Sequence, residues 1–296
     1  MARILGVILT ERICVALVQN NQIEGEMRCY PDENEEALQG MHADALAREL
    51  AAQIAAVLAG EQVAAVGLGV PGVIRNGVVE ESPNLQQLKG YNIQQAIELA
   101  LRERGIRTSI CVCNDADVMA AGIAAARGQL DRLIRVWTLG HGIGFGRYPS
   151  TEGVWEGGHS VVTLDPKEAY CGCGGVGHLE GIMGHRAIRL RFLDLEPDEV
   201  FAEAQRGDAR CGDFVKLWHR ALAAATATSV HMDGPGKFYL TGHNARFVQV
   251  DLLNRYMQEM VKMSPLQGYA FEVVPSGEEL AIIGAAVNAA RSVKAL

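Results

Sequence analysis

The sequence predicts an α/β protein in two lobes, built on a mixed sheet. Three observations carry this expectation. Apolar, β-rich runs separated by polar turns open the chain. Segments with apolar residues at helical spacing then alternate with further β-rich runs. The second half repeats the theme of a hairpin followed by helices.

Taken in order, Ile4 to Leu9 and Ile13 to Gln19 read as strands flanking the turn Thr10-Glu11-Arg12, and Gln22 to Tyr30 as a third. Ala43 to Leu58 has helical spacing, with Gly60 as its stop signal. Val63 to Val70 is a strand ending in the turn Pro71-Gly72. Val73 to Val79 contains Arg75-Asn76-Gly77, a hairpin signal because Asn-Gly tolerates the positive φ such turns need. A helix near Ile93 to Arg104, a strand from Ser109 to Cys113 and an alanine-rich helix from Ala116 to Arg127 follow. Leu133 to Thr138 is a strand that runs into a glycine series from Gly140 to Gly146, and Pro149 to Gly184 reads as loop. The remaining helices are Pro197 to Gln205, Asp213 to His231, roughly Val248 to Met263, and Glu279 to Val293, with a strand at Lys237 to Thr241 ending at Gly242.

The 296 residues are enough for two lobes of domain size, and 49% hydrophobic with 21% charged residues is globular composition. A net charge of -8 argues against nucleic acid as the partner, which calls for a basic face. No run of about 18 apolar residues is present, so no membrane span is expected, and nothing at the N-terminus reads as a targeting signal. The cysteines number seven. Cys111 and Cys113 share a strand-like run and Cys14, Cys29 and Cys211 stand apart, which reads as reduced thiols in a cytoplasmic protein.

Chemistry concentrates in a few segments. Cys171-Gly-Cys173-Gly-Gly-Val-Gly-His178 offers thiolates and an imidazole in a glycine-rich loop, with His159 just upstream as a fourth ligand. That set suits a closed tetrahedral zinc site, and free loop residues are the alternative. Asn114-Asp115 ends a strand before a helix, where ligands of α/β sheets collect. Asp115 there is either a general base or a helix cap. Gly140, Gly142, Gly144 and Gly146 alternate, which in an extended hairpin leaves one face bare for a phosphate; a ligand-free turn is the alternative. Glu156, His159, Glu180 and Asn84 are hydrogen-bonding side chains suited to hydroxyls.

In this order, Gly69-Val70-Pro71-Gly72, Ser82-Pro83-Asn84-Leu85, Asn114-Asp115-Ala116, Leu139-Gly140-His141-Gly142-Ile143-Gly144, Glu156-x-Gly-His159 and Cys171-x-Cys-Gly-x-x-Gly-His178-x-Glu180 resemble the signature series of the ROK family (repressor, open reading frame, kinase) over nearly the whole chain. The resemblance implies a two-lobed, actin-like ATPase fold of the ribonuclease H-like kind, with the ligand cleft between a lobe of residues 1–115 plus 279–296 and a lobe of residues 116–278. It implies ATP-dependent phosphorylation of a hexose or N-acetylhexosamine. Asp115 would be the base, and Asn84, Asn114, Glu156, His159 and Glu180 would hold the sugar. His159, Cys171, Cys173 and His178 would bind structural zinc, with His178 standing where the family usually has cysteine. It also implies a homodimer. Mg-ATP would fall to Thr10, Glu11, Arg12, Gly140, His141, Gly142, Gly144 and Gly242.

The departures from the family concentrate on the nucleotide. The family's opening hairpin reads Asp-x-Gly-Gly-Thr; here Ile8 stands at the aspartate and both glycines are missing. His141 replaces a threonine, and Gly242-His243-Asn244 replaces a glycine-rich turn. The alternative expectation is therefore a relative that binds a sugar or sugar phosphate without phosphorylating it, or that acts on a sugar by other acid-base chemistry.

Overall fold

The structure is a computed structural model, and it describes residues 3–31, 38–82, 84–150, 156–262 and 268–295. The chain begins β1 (Ile4–Leu9), β2 (Ile13–Gln19), β3 (Gln22–Tyr30), α1 (Ala43–Leu58), β4 (Ala65–Val70), β5 (Val73–Arg75), β6 (Val78–Glu81), β7 (Tyr91–Asn92), α2 (Ile93–Glu103), β8 (Ser109–Asn114) and α3 (Asp115–Ala126). It continues β9 (Ile134–Leu139), β10 (Ile143–Tyr148), α4 (Glu180–Met183), α5 (His185–Arg191), α6 (Pro197–Arg206), α7 (Ala209–Asp233), β11 (Gly236–Thr241), α8 (Val250–Met260), β12 (Tyr269–Val273) and α9 (Glu278–Ala295). Two compact units result: residues 1–134, 146–154 and 277–296 form one, and residues 135–145 and 155–276 the other. No helix among the described residues is long and apolar enough to cross a membrane.

The first unit holds a five-stranded sheet in the order β3-β2-β1-β4-β8. β1 runs antiparallel to β2 and parallel to β4, and β4 runs parallel to β8, so the sheet is mixed. All of β1 is buried because both faces of the sheet are covered. Leu5, Val7 and Leu9 join a core with Leu46, Leu50 and Ile97 from α1 and α2. Ile4 and Ile8 join the opposite core with Val118 of α3 and Ala281, Ile282 and Ala285 of α9.

Glycine makes the second of these contacts possible. A Cβ on Gly6 or Gly67 would overlap the backbone carbonyl of Ile282 or Ala285, so α9 lies on the strands at backbone contact. Gly122 and Gly284 do the same between α3 and α9. Asn76 and Gly77 both take positive φ, 51° and 75°, in the β5–β6 turn, as the Asn-Gly pair predicts.

The second unit is built on the sheet β10-β9-β11-β12, with β11 parallel to both β9 and β12. Its core packs Trp137 of β9 and Trp218 of α7 among Phe201, Phe214 and Phe238. The buried Trp137 indole donates to Thr226 Oγ1 of α7 at 3.1 Å, which satisfies its polar atom.

Three sequence expectations are corrected here. Cys14 and Cys29 do not stand apart: they face each other across β2 and β3 and form a disulfide. Strand pairing brings them together: a bulge between Val15 and Leu17 shifts the hairpin register and sets Cys14 opposite Cys29, a shift that no local pattern in the sequence announces. Tyr269–Val273 is a strand, unread because it is short and gains its ladder only from β11. The stretch read as loop from Pro149 to Gly184 ends in the short helix α4, and α5 follows directly after it, unread.

Candidate active site

Asp115 begins α3 directly after β8, and its neighbour does the capping. The Asn114 side chain accepts from the backbone N–H of Ala116 at 2.8 Å and of Asp117 at 3.4 Å, and its amide donates to the Gly72 carbonyl at 2.8 Å. The helix cap is thus Asn114, while the Asp115 carboxylate accepts from Ala116 N–H at 3.0 Å. Burial pushes the Asp115 carboxyl up to about 6; the charges of Asp117 and Glu11 push the same way, against the backbone bond. Asp117 is raised to about 6 by burial as well, although it accepts from Arg147 N–H at 2.9 Å. A carboxylate with a proton affinity this close to neutral is suited to take a proton from a hydroxyl.

The turns around this carboxylate are tied together. The buried Ser82 hydroxyl donates to the Pro71 carbonyl at 2.9 Å and accepts from Leu85 N–H at 3.3 Å. Gly72, whose carbonyl Asn114 holds, has a φ of 111°, which favours glycine. Asn84 is exposed on the Ser82–Leu85 turn.

The opening hairpin is different from a phosphate loop. Ile8 is 3% exposed and its Cδ1 fills the space beside Gly69, with Val118 across from it. Thr10 N–H closes the turn on the Arg12 carbonyl at 3.0 Å. Arg12 Nε donates to the Pro31 carbonyl at 2.9 Å, which ties β2 to the end of β3. Glu11 is exposed, and its charge is felt by Asp115.

In the second unit, His159, Cys171, Cys173 and His178 bring one ligand atom each within 4.8 Å of one another. Cys171 Sγ lies 3.3 Å from Cys173 Sγ, which lies 3.2 Å from His178 Nδ1. A tetrahedral ion with bonds of about 2.0–2.3 Å separates its ligands by about 3.3–3.8 Å, so the donor set and its spacing fit one metal ion. A bridge between Val161 and His178 closes the loop. A side chain at residue 175 would overlap the His178 ring, so Gly175 is needed where it stands. Glu180 follows: its Oε2 accepts from Ile143 N–H at 2.9 Å, and its Oε1 accepts from the Cys171 thiol at 3.9 Å. Glu156, exposed, precedes the short 3-10 turn that carries His159.

The glycine series does not form one bare face. Gly140 N–H bonds the Gly142 carbonyl at 3.0 Å in a tight turn, and a Cβ on Gly142 would meet Glu180 Oε2 at 2.6 Å. Gly144 lies on β10. Gly146 instead lets the backbone of Ala116 approach. The Gly140 carbonyl collects the Asn244 amide at 3.3 Å and His185 N–H at 3.2 Å, so the turns at 140–142, 184–185 and 242–244 converge. Gly242 has a φ of 93° and packs on the Leu139 backbone. His141 and His185 rings lie 5.4 Å apart, and burial, helped by His141, lowers the His185 pKa. His243 meets Arg246, which pairs with Asp198 at 2.6 Å. His185 carried no motif of its own in the sequence; within the second unit, the bond of its N–H to the Gly140 carbonyl brings it in. Within the first unit, Asp117 went unread beside the Asn114-Asp115 motif.

Known proteins resemble this chain in sequence and in fold. A profile described as the ROK family matches residues 11–291. A glucokinase of Thermotoga maritima is 30% identical over 81% of this chain and 83% of its own. An N-acetylmannosamine kinase of Haemophilus influenzae is 28% identical over 93% of this chain and 91% of its own. A solved ROK hexokinase of Thermus thermophilus covers 99% of this chain and all of its own, with a TM-score of 0.76 and 26% identity.

Proposed function

The chain belongs to the ROK family, and from that premise we infer that it is a sugar kinase that phosphorylates a hexose or N-acetylhexosamine with ATP. The observation that carries the chemistry is the division of labour at the end of β8. Asn114 caps α3, which leaves Asp115 as a carboxylate raised to about 6 and available for a proton. In this reading Asp115 takes the proton of the attacking sugar hydroxyl. The sugar oxygen bonds the terminal phosphorus, and the bond from that phosphorus to the bridging oxygen breaks to release ADP. The relatives named for glucose and N-acetylmannosamine make those the first sugars to test.

Asn84, Asn114, Glu156, His159 and Glu180 hold the remaining sugar hydroxyls. The exposed carboxylate of Glu156 suits that role, as does the exposed amide of Asn84. The nucleotide set is Thr10, Glu11, Arg12, Gly140, His141, Gly142, Gly144 and Gly242. With Ile8 buried, Glu11 is the carboxylate of the opening hairpin that would hold magnesium, whose chemistry is to neutralise phosphate charge. His159, Cys171, Cys173 and His178 hold a structural zinc ion, supported by their spacing. Bound there, zinc would fix the loop from which Glu180 reaches Ile143.

Asp115→Asn tests the assignment. Turnover is expected to fall about 10²–10⁴-fold, the usual contribution of a positioned base, while calorimetric sugar affinity stays near wild type. Undiminished turnover in the variant would remove Asp115 from the mechanism.

A further inference from the structure

One pair of nucleophiles lies outside this machinery. Cys111 and Cys113 sit two residues apart on β8, so both point to the same face of the sheet. Their sulfurs are 3.8 Å apart, and both are partly buried against the core beneath α9. β8 is the edge strand, paired only with β4 among the described residues. The β4 residues opposite the two cysteines are Gly67 and Gly69, so no side chain on that strand stands beside the sulfurs.

Within the pair, negative charge settles on Cys111. Cys113 donates a hydrogen bond to Cys111 and brings its pKa down to about 6, against burial, with Ser292 helping. The same bond, with burial and the Asp117 charge, keeps the proton on Cys113. The pair thus holds one shared proton and one thiolate near neutral pH. The second observation is Asn288 of α9, only 7% exposed, whose buried Nδ2 has no hydrogen-bond acceptor in the structure. Its side chain lies beside Cys113 and lowers that thiol's pKa, against the causes that raise it. A buried amide donor without a partner is costly, and an anionic sulfur or a sulfenate oxygen would satisfy it.

We propose that Cys111 and Cys113 form a peroxide-reactive dithiol that closes to an intrachain disulfide and thereby displaces the Asn114-Asp115 junction. The Cys111 thiolate attacks one oxygen of hydrogen peroxide; the O–O bond breaks, the second oxygen leaves as water after protonation, and Cys111 becomes a sulfenic acid. Cys113 then attacks that sulfur as its proton leaves; the S–O bond breaks, a second water departs, and the S–S bond forms. Two thiols and one peroxide give one disulfide and two waters. Residues i and i+2 of a strand have Cα atoms about 6.6 Å apart, within the 4.4–6.8 Å or so that a disulfide spans. The sulfurs must close from 3.8 Å to about 2.05 Å, and the edge strand can yield because only one side is laddered. Asn114 and Asp115 follow Cys113 directly, so the contraction is passed to the cap and the base.

The test treats the full chain with hydrogen peroxide, alkylates remaining thiols, digests without reductant and maps the peptides by mass spectrometry. The expected peptide carries Cys111 and Cys113 with two hydrogens lost, resists alkylation, and regains both thiols with dithiothreitol. In Cys113→Ser, Cys111 should instead be trapped by dimedone as a sulfenic acid. Both cysteines alkylated after peroxide would overturn the proposal, and that readout is independent of any kinase activity. The effect on Asp115 rests on the proposed function. There, peroxide should lower sugar phosphorylation on the order of 10- to 100-fold, reversibly, as expected for displaced reacting groups. Cys111→Ser should keep its basal rate and lose this response. A mapped disulfide with unchanged turnover would refute the coupling to the base.

Discussion

Restoring the family's aspartate by Ile8→Asp is expected to damage the protein. Ile8 is 3% exposed and packs between Gly69 and Val118 in the core beneath α9. Removing its burial costs about 1.5–3 kcal/mol. The new carboxyl must also enter that apolar space. It does so protonated, and protonating an aspartate of usual pKa about 3.9 at pH 7 costs about 4 kcal/mol. The sum, about 5–7 kcal/mol, rivals the whole stability of many domains, about 5–15 kcal/mol. The sign of the pH dependence follows. The folded carboxyl has a pKa above its unfolded value, so the folded state binds the proton more tightly. Its penalty is least at low pH and grows as pH rises toward the folded pKa. Between pH 5 and pH 7 the difference from wild type should widen by about 2.7 kcal/mol. Urea denaturation of both proteins at each pH measures this. A variant within about 1 kcal/mol of wild type, with no pH slope and faster phosphorylation, would refute the burial argument and place residue 8 at the phosphates.

Three further outcomes are expected. As a base, Asp115 must be ionised, so kcat/KM should fall tenfold per pH unit on the acid side of about 6. Asp117→Asn keeps an acceptor for Arg147 N–H but removes a charge that raises the Asp115 pKa, so this acid limb should move to lower pH. A limb that stays in place or moves upward would show that Asp117 does not act on the base. Removing zinc with a strong chelator should lower the melting temperature, and metal analysis of the untreated protein should find about one zinc per chain. A metal-free preparation with an unchanged melting temperature would reject the site.

The sequence was most legible where structure is local. β1, β2, β3 and α1 run over the segments their apolar patterns mark. The metal cluster was legible because Cys171, Cys173 and His178 are so close along the chain that folding has few ways to separate them. What stayed hidden depends on register and on distant turns. Cys14 and Cys29 meet only once β2 and β3 pair. The convergence of Gly140 with His185 and Asn244 joins segments far apart in sequence. Asp115 shows the limit within a single motif. Two adjacent residues could each cap α3, and only the atoms show that Asn114 does. The glycines of 140–146 looked alike in sequence and do different work, because each meets a different neighbour.

The seating of α9 on glycine sets an order of events in synthesis. The sheet of the first unit is finished by residue 114, but the helix that covers Ile4, Ile8 and Val18 begins at residue 278. At about 5–20 residues per second, the ribosome takes on the order of 10–30 s to reach it. During that interval an apolar sheet face waits without its lid. The second unit, made entirely within the gap, can fold while the first stays open. A nascent chain arrested before residue 278 would therefore present a ready surface to chaperones or to aggregation, and the release of α9 is the step that ends this exposure.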